Sequence, residues 1–175
     1  MKRKSNSDLL AHLRDPQIVQ NAIVRHRVKQ SVRQYFCSQD FIEVDTPILG
    51  DPLDEYTMNH FAVQGRGGSY ALPQSPQLYK QLVVMHSLER YFQFPHCFRD
   101  EEFDSQRTDQ APEHMQIDFE LRTTSAAEVR SIAENLVKTV CDDLDIPCST
   151  PFPTIDAVEC VQKYGTDKPN TRQYP

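Results

Sequence analysis

Apolar side chains at Val24, Val28, Val32 and Phe36 recur every fourth residue, and Ile18 and Ala22 extend the stripe. That spacing predicts an amphipathic helix over 18–36, with Arg25, Arg27, Lys29 and Arg33 on its polar side. Phe41-Ile42-Glu43-Val44-Asp45 reads as a strand that ends at Thr46-Pro47. A polar loop at 50–59 follows, Phe61-Ala62-Val63 restarts the sheet, and residues 65–68 make a turn. Tyr70-Ala71-Leu72 is a short apolar run stopped by Pro73. Ser75 then offers an N-cap oxygen, and Pro76 suits a first helical position, where its missing N–H costs nothing. Leu78, Leu82, Val83 and Met85 keep helical spacing, which predicts a helix over 76–88 with the polar ends of Gln77, Lys80 and Gln81 free.

The period then changes. Tyr91-Phe92-Gln93-Phe94-Pro95-His96-Cys97-Phe98-Arg99 is aromatic and extended, while Met115-Gln116-Ile117-Asp118-Phe119-Glu120-Leu121 alternates strictly. Alternation sends Gln116, Asp118 and Glu120 to one face and Met115, Ile117, Phe119 and Leu121 to the other. Paired antiparallel, the two runs gather Arg99, Glu101, Asp118 and Glu120 on one polar surface. The pattern fits a solvated sheet face. It fits equally a site where Arg99 holds a phosphate and the carboxylates meet a cationic or hydroxyl-bearing ligand. Ser125 and Glu128 form a capping box ahead of a helix over 126–144, with Val129, Ile132, Ala133, Leu136, Val137, Val140 and Leu144 toward the core. A linker at 147–153 leads to a short helix at 156–164 closed by Gly165. The expected fold is α/β (α+β): an antiparallel sheet flanked by helices.

Composition narrows the class. At 175 residues and 38% hydrophobic content, the chain supports one globular core. A formal charge of −6 argues against indiscriminate gripping of a nucleic-acid backbone. Five scattered cysteines, without Cys-x-x-Cys or zinc-like spacing, read as reduced thiols of an intracellular protein. No run reaches membrane-spanning length, and Met1-Lys2-Arg3-Lys4 lacks the apolar stretch of a signal peptide, so no membrane association is expected.

Several segments together resemble class II aminoacyl-tRNA synthetases, specifically the bacterial or organellar aspartyl type. They are Tyr70-Ala71-Leu72-Pro73-Gln74-Ser75-Pro76-Gln77-Leu78-Tyr79-Lys80-Gln81, Arg90-Tyr91-Phe92-Gln93 and Cys97-Phe98-Arg99-Asp100-Glu101. The last resembles motif 2, whose signature is Phe-Arg-x-Glu, placed here at about 90–121. The helix and strand at about 18–47 resemble motif 1, which in the family forms the dimer interface. The resemblance runs nearly without gaps from 14 to 172. It implies a partial catalytic domain over 15–175 after a frayed, basic 1–14.

Carried over position by position, Ser75, Gln77, Lys80 and Asp118 match residues that hold aspartate, and Lys80 meets its side-chain carboxylate. Glu55 aligns with the lid residue that reads the amino group. Arg99 and Glu101 match the catalytic and ATP-binding pair, and Arg107 and His114 fall at ATP-binding positions. The chain departs from the family in the lid, where Tyr56 replaces a Gly and an Arg is lost. It also departs in the motif 2 loop: Asp104 replaces an Arg, three residues are inserted before Pro112, and His114 stands where a Phe stacks on adenine. The resemblance stops before motif 3, so ATP and Mg²⁺ are implied by the family while the magnesium ligands are expected outside this chain. The function expected is aspartate–tRNA ligase chemistry represented by the front half of its catalytic domain. The alternative is a non-catalytic synthetase-like paralogue that serves as a structural subunit. Implied partners are aspartate, ATP and tRNA, together with a homodimer or hetero-assembly through motif 1. The expected compartment is cytoplasmic, with mitochondrial as the alternative.

Overall fold

A computed structural model of the chain describes residues 13–50, 60–100, 111–167 and 169–170. Glu55, Glu101 and Arg107 lie outside the described residues, as do most of the expected lid and motif 2 loop. The elements run α1 (Pro16–Ser38), β1 (Ile42–Glu43), β2 (Ala62–Gly65), β3 (Gly68–Ala71), α2 (Gln77–His86), β4 (Arg90–Gln93), β5 (His96–Phe98), β6 (Glu113–Met115), β7 (Asp118–Leu121), α3 (Ala126–Asp143) and α4 (Ala157–Tyr164).

The caps explain the helix limits. Asp15 accepts from Gln17 N at 2.9 Å, ahead of Pro16. Ser125 accepts from Glu128 N at 3.1 Å, and Asp156 from the N–H groups of Val158 and Glu159. In the expected capping box only the serine half forms, because the Glu128 carboxylate turns instead to the Thr124 hydroxyl at 2.9 Å. Gly165, at φ 71°, closes α4 in the left-handed conformation that glycine adopts without a Cβ penalty. Helix α2 starts one residue later than its expected first position, at Gln77. Ser75 still accepts from Gln77 N, at 3.4 Å.

Three small sheets form. The central one orders its strands β1-β4-β7, and the hairpins β2-β3 and β5-β6 stand beside it. β4 and β7 pair antiparallel, with Phe92 opposite Phe119 and Gln93 opposite Asp118. The expected long strand at 91–99 divides into β4 and β5 at Phe94-Pro95, since Pro95 has no N–H to donate. Its carbonyl still accepts from Gln116 N at 3.1 Å, which keeps the two halves in one bent hairpin. β1 joins β4 in parallel, Ile42 opposite Tyr91, so the sheet is mixed rather than wholly antiparallel. At the end of β2, a Cβ on Gly65 would come within 2.6 Å of the Tyr70 ring, so a larger residue there would require the ring to shift.

The core lies where α1 and α3 cover the central sheet: Val32, Phe36, Phe41, Phe92, Ile132 and Leu136 are buried together, with Phe119 and Leu121 beside them. Apolar periodicity overstated burial elsewhere. Val84 is the buried residue of α2, while Leu82 and Met85 are exposed. Val137 is exposed on α3, as are Val19, Ile23 and Val24 on the first half of α1. The basic side of α1 is partly engaged. Lys29 and Arg33 lie over the Phe94 ring at 4.7 and 5.3 Å. Arg33 also pairs with Glu43 at 2.6 Å, and its hydrogen bonds hold the Glu43 carboxyl below the usual carboxylate range. Both partners are well exposed, so this pair contributes only tenths of a kcal/mol, ~0.2–1.

Candidate active site

Four elements bring the site together. The first turn of α2 carries Gln77 and Lys80, and β7 carries Asp118 and Glu120 on one face because they are two residues apart. β4 pairs with β7, and α2 packs on both strands. The segment before α2 is tied to the hairpin by a bond from Phe98 N to Pro73 O at 2.8 Å, which sets Ser75 and the start of α2 beside β5.

At the centre, Lys80 Nζ donates to Asp118 Oδ1 at 2.7 Å and lies 3.5 Å from Glu120 Oε2. The Lys80 and Asp118 side chains are only 12% and 14% exposed. A charge-assisted bond of this kind contributes about 1.5–3 kcal/mol. The second Asp118 oxygen, Oδ2, is buried and has no hydrogen-bond partner among the described residues. A buried carboxylate oxygen without a donor carries a desolvation cost that a donated N–H would offset.

Beneath this pair the side chains are fixed. Tyr91 is fully buried and donates to Gln93 Oε1. Gln93 in turn bonds Thr46 Oγ1 at 3.0 Å, which links the residue before Pro47 to the strand under the site. Burial pushes the Tyr91 hydroxyl far up from its ordinary pKa, and the nearby Asp118 carboxylate adds to the rise. Tyr91 is therefore a neutral donor at any physiological pH. Cys97, also buried, is pushed up to about 11, mainly by burial, with Arg99 partly opposing the rise. It is an inert thiol in the floor.

A second cluster lies along the same hairpin. Arg99, Glu113, His114 and Gln116 line an open cavity of about 650 Å³, which Arg25 of α1 also borders. His114 Nδ1 lies 3.2 Å from the Ala111 carbonyl, so the ring is steered by its own turn. No carboxylate among the described residues pairs with Arg99. A half-buried guanidinium beside an imidazole suits a phosphate and a flat heterocycle.

Of the expected site residues, Lys80 and Asp118 touch, and Arg99 and His114 share the second cavity. Gln77 is exposed one turn before Lys80, and the Ser75 hydroxyl is occupied at the start of α2. Glu120, which alternation placed on the polar face without a role, is the third member of the Lys80 cluster; its two-residue offset from Asp118 was the signal. The Tyr91–Gln93–Thr46 chain was not foreseen, because its partner at position 46 is remote in sequence.

A family profile described as tRNA synthetases class II (D, K and N) matches residues 3–174. The aspartate–tRNA(Asp/Asn) ligase of Aquifex aeolicus (strain VF5) is 43% identical over 164 residues, which is 91% of this chain and 26% of that protein. The enzyme of the same description from Salinibacter ruber is 42% identical over 177 residues, covering 96% and 28% respectively. The chain thus spans about a quarter of the length of the curated relatives it matches. The asparaginyl-tRNA synthetase of Pyrococcus horikoshii, solved with asparaginyl-adenylate, overlays 80% of this chain and 32% of its own with a TM-score of 0.69. At 22% identity it speaks to the fold. Fold, sequence and family profile converge: the chain belongs to the class II tRNA synthetases (D, K and N), and its similarity is to aspartate–tRNA ligases.

Proposed function

We propose that this chain forms the amino-acid half of an aspartate–tRNA ligase active site, within a partial catalytic domain over 15–175. The observation that carries the reading is the largely buried Lys80–Asp118 pair, with one Asp118 oxygen that has no donor among the described residues. Lys80 meets the side-chain carboxylate of aspartate, and the unpaired Asp118 oxygen accepts from its ammonium. Ser75 and Gln77 complete the pocket from the start of α2. Glu55 aligns with a further amino-group contact.

In the activation step the α-carboxylate oxygen of aspartate attacks the α-phosphorus of ATP, and pyrophosphate leaves. Arg99 offsets the negative charge that gathers on the phosphoryl oxygens, and His114 stacks on the base. Glu101 and Arg107 complete the nucleotide contacts by family position. Class II aspartyl-tRNA synthetases use Mg²⁺ as well as ATP. Among the described residues no group of three His, Cys, Asp or Glu gathers to hold a metal. No helix of the described residues is long and apolar enough to cross a membrane. A cytoplasmic setting, with a mitochondrial one as the alternative, goes with the family.

Titration calorimetry on the 175-residue chain tests the reading. Two or three charge-assisted contacts, less the cost of association, give an affinity on the order of 1 mM for L-aspartate. L-asparagine is expected to bind at least about tenfold more weakly, because its amide cannot pair with Lys80. Equal binding of the two would overturn the assignment. Aspartate-dependent pyrophosphate exchange by these 175 residues on their own is expected at background.

A second reading, a synthetase-like subunit that serves assembly, is favoured by one observation. Leu13 before α1, Val19 and Ile23 on it, and Ile42, Ile48 and Leu49 after it are about half exposed. This is the segment that matches motif 1. Homodimer or hetero-assembly formation through it covers those side chains. Sedimentation should show a dimer that Ile23→Asp converts to monomer; a monomer at every concentration, with no partner, would remove the assembly role.

A further inference from the structure

The Lys80 cluster sets one ammonium against two carboxylates, and the two are not held alike. Asp118 Oδ1 lies 2.7 Å from Lys80 Nζ, and its side chain is 14% exposed. Glu120 Oε2 stands at 3.5 Å, and its side chain is 33% exposed. Charge-assisted N–H···O bonds are best at about 2.7–2.9 Å, so the Asp118 bond is fully formed and the Glu120 contact is a loose ion pair. Both carboxylates reach the same ammonium because alternation puts them on one face of β7, against which α2 packs. Lys80 is the one cation paired with Glu120 among the described residues.

A further carboxylate on Lys80 would gather three negative charges around a single cation. Like charges sharing a site repel, and partial burial weakens the screening between them. A ligand carboxylate therefore takes its place on Lys80 as one of the two protein carboxylates leaves. Glu120 is the one free to go. Its contact is the longer, and its side chain already reaches solvent, which rehydrates the departing charge. Asp118 is deeper and stays at bonding distance. We propose that Glu120 is a built-in competitor of the substrate: its carboxylate holds the place on Lys80 that the side-chain carboxylate of aspartate takes, and it turns to solvent as aspartate binds. Glu120 is thus a positioning residue that acts through Lys80. The inference rests on the aspartate reading of this site and adds what the ligand has to displace.

The test titrates L-aspartate into the isotope-labelled 175-residue chain and follows it by NMR, whose spectra also report that each variant is folded. The side-chain carboxyl signal of Glu120, identified by its loss in Glu120→Gln, is expected to shift in step with saturation. Loose, partly exposed ion pairs contribute little, so Glu120→Gln is expected to bind aspartate about two- to fivefold more tightly than the parent. Glu120→Asp keeps the charge but draws the carboxylate back by one methylene, and it too is expected to bind more tightly. A Glu120 signal that stays still while aspartate binds would overturn the proposal and leave the aspartate assignment standing. So would affinity that is unchanged or weaker in both variants. Tighter binding by Glu120→Gln with none by Glu120→Asp would also overturn it, because net charge alone then accounts for the gain. No aspartate binding by the parent or either variant would remove the aspartate reading itself, and this inference with it.

Discussion

Lys80→Ala is expected to remove the proposed aspartate binding and also to lower the stability of the chain. Both effects trace to one atom. Lys80 Nζ is 2.7 Å from Asp118 and 3.5 Å from Glu120, so its removal leaves two carboxylates facing each other without a cation. The pair is 12–14% exposed, short of full burial. The expected loss therefore lies near the range for a charge-assisted bond, about 1.5–3 kcal/mol, rather than the larger cost of an orphaned charge in a dry core. Urea unfolding measures that loss. Calorimetry measures binding, with circular dichroism to confirm that the variant is folded under the same conditions. Asp118→Asn separates the roles: it keeps the side chain's shape, so it is expected to retain most of the stability while aspartate binding drops. If Lys80→Ala still binds aspartate as the parent does, the pocket lies elsewhere.

Phe36→Ala is expected to produce the larger stability change, about 3–5 kcal/mol. Phe36 is fully buried, and its ring lies 4.9 Å from both Phe41 and Phe92, 5.4 Å from Phe119 and 5.6 Å from Tyr35. One side chain thus joins α1, the strand entry at Phe41, and the paired strands β4 and β7. Truncation deletes the transfer energy of the ring and opens a cavity that fixed backbones cannot close. Against a total stability of about 5–15 kcal/mol, the urea midpoint should fall sharply or the cooperative transition disappear. Because β4 and β7 carry the floor and one wall of the proposed aspartate pocket, binding should fall with it. A change under about 1 kcal/mol would show that the core is centred elsewhere.

Much of the local structure was legible from residue order. The period of four at Val28, Val32 and Phe36, the cap at Ser125, and Gly165 after Tyr164 each correspond to an element end or a buried face. Alternation in 115–121 set Asp118 and Glu120 against Phe119, and the Phe119 ring meets Phe36 while the two carboxylates meet Lys80. The shortlist of Lys80, Asp118, Arg99 and His114 came from the family resemblance. The pattern alone left the same face open to a solvated reading.

Periodicity failed where it was asked what covers a stripe. Leu82 and Met85 follow the helical period as well as any residue of α2, yet they face solvent and Val84 is buried. A period says which residues share a face; it says nothing of whether another element lies over that face.

What the sequence by itself determined is the kind and approximate place of most elements, which side chains share a face, and the family. Short-range sterics, caps and a two- or four-residue period act within a few residues and need no partner. Only the tertiary structure decided that β1 runs parallel to β4, that the 91–99 run bends at Pro95, that Thr46 reaches Gln93, and that Lys80 meets a carboxylate 38 residues away. Those outcomes depend on strand direction and register between distant segments. Alternation is unchanged when a strand is reversed, so it cannot encode them; the packing of Phe36 against Phe92 and Phe119 does.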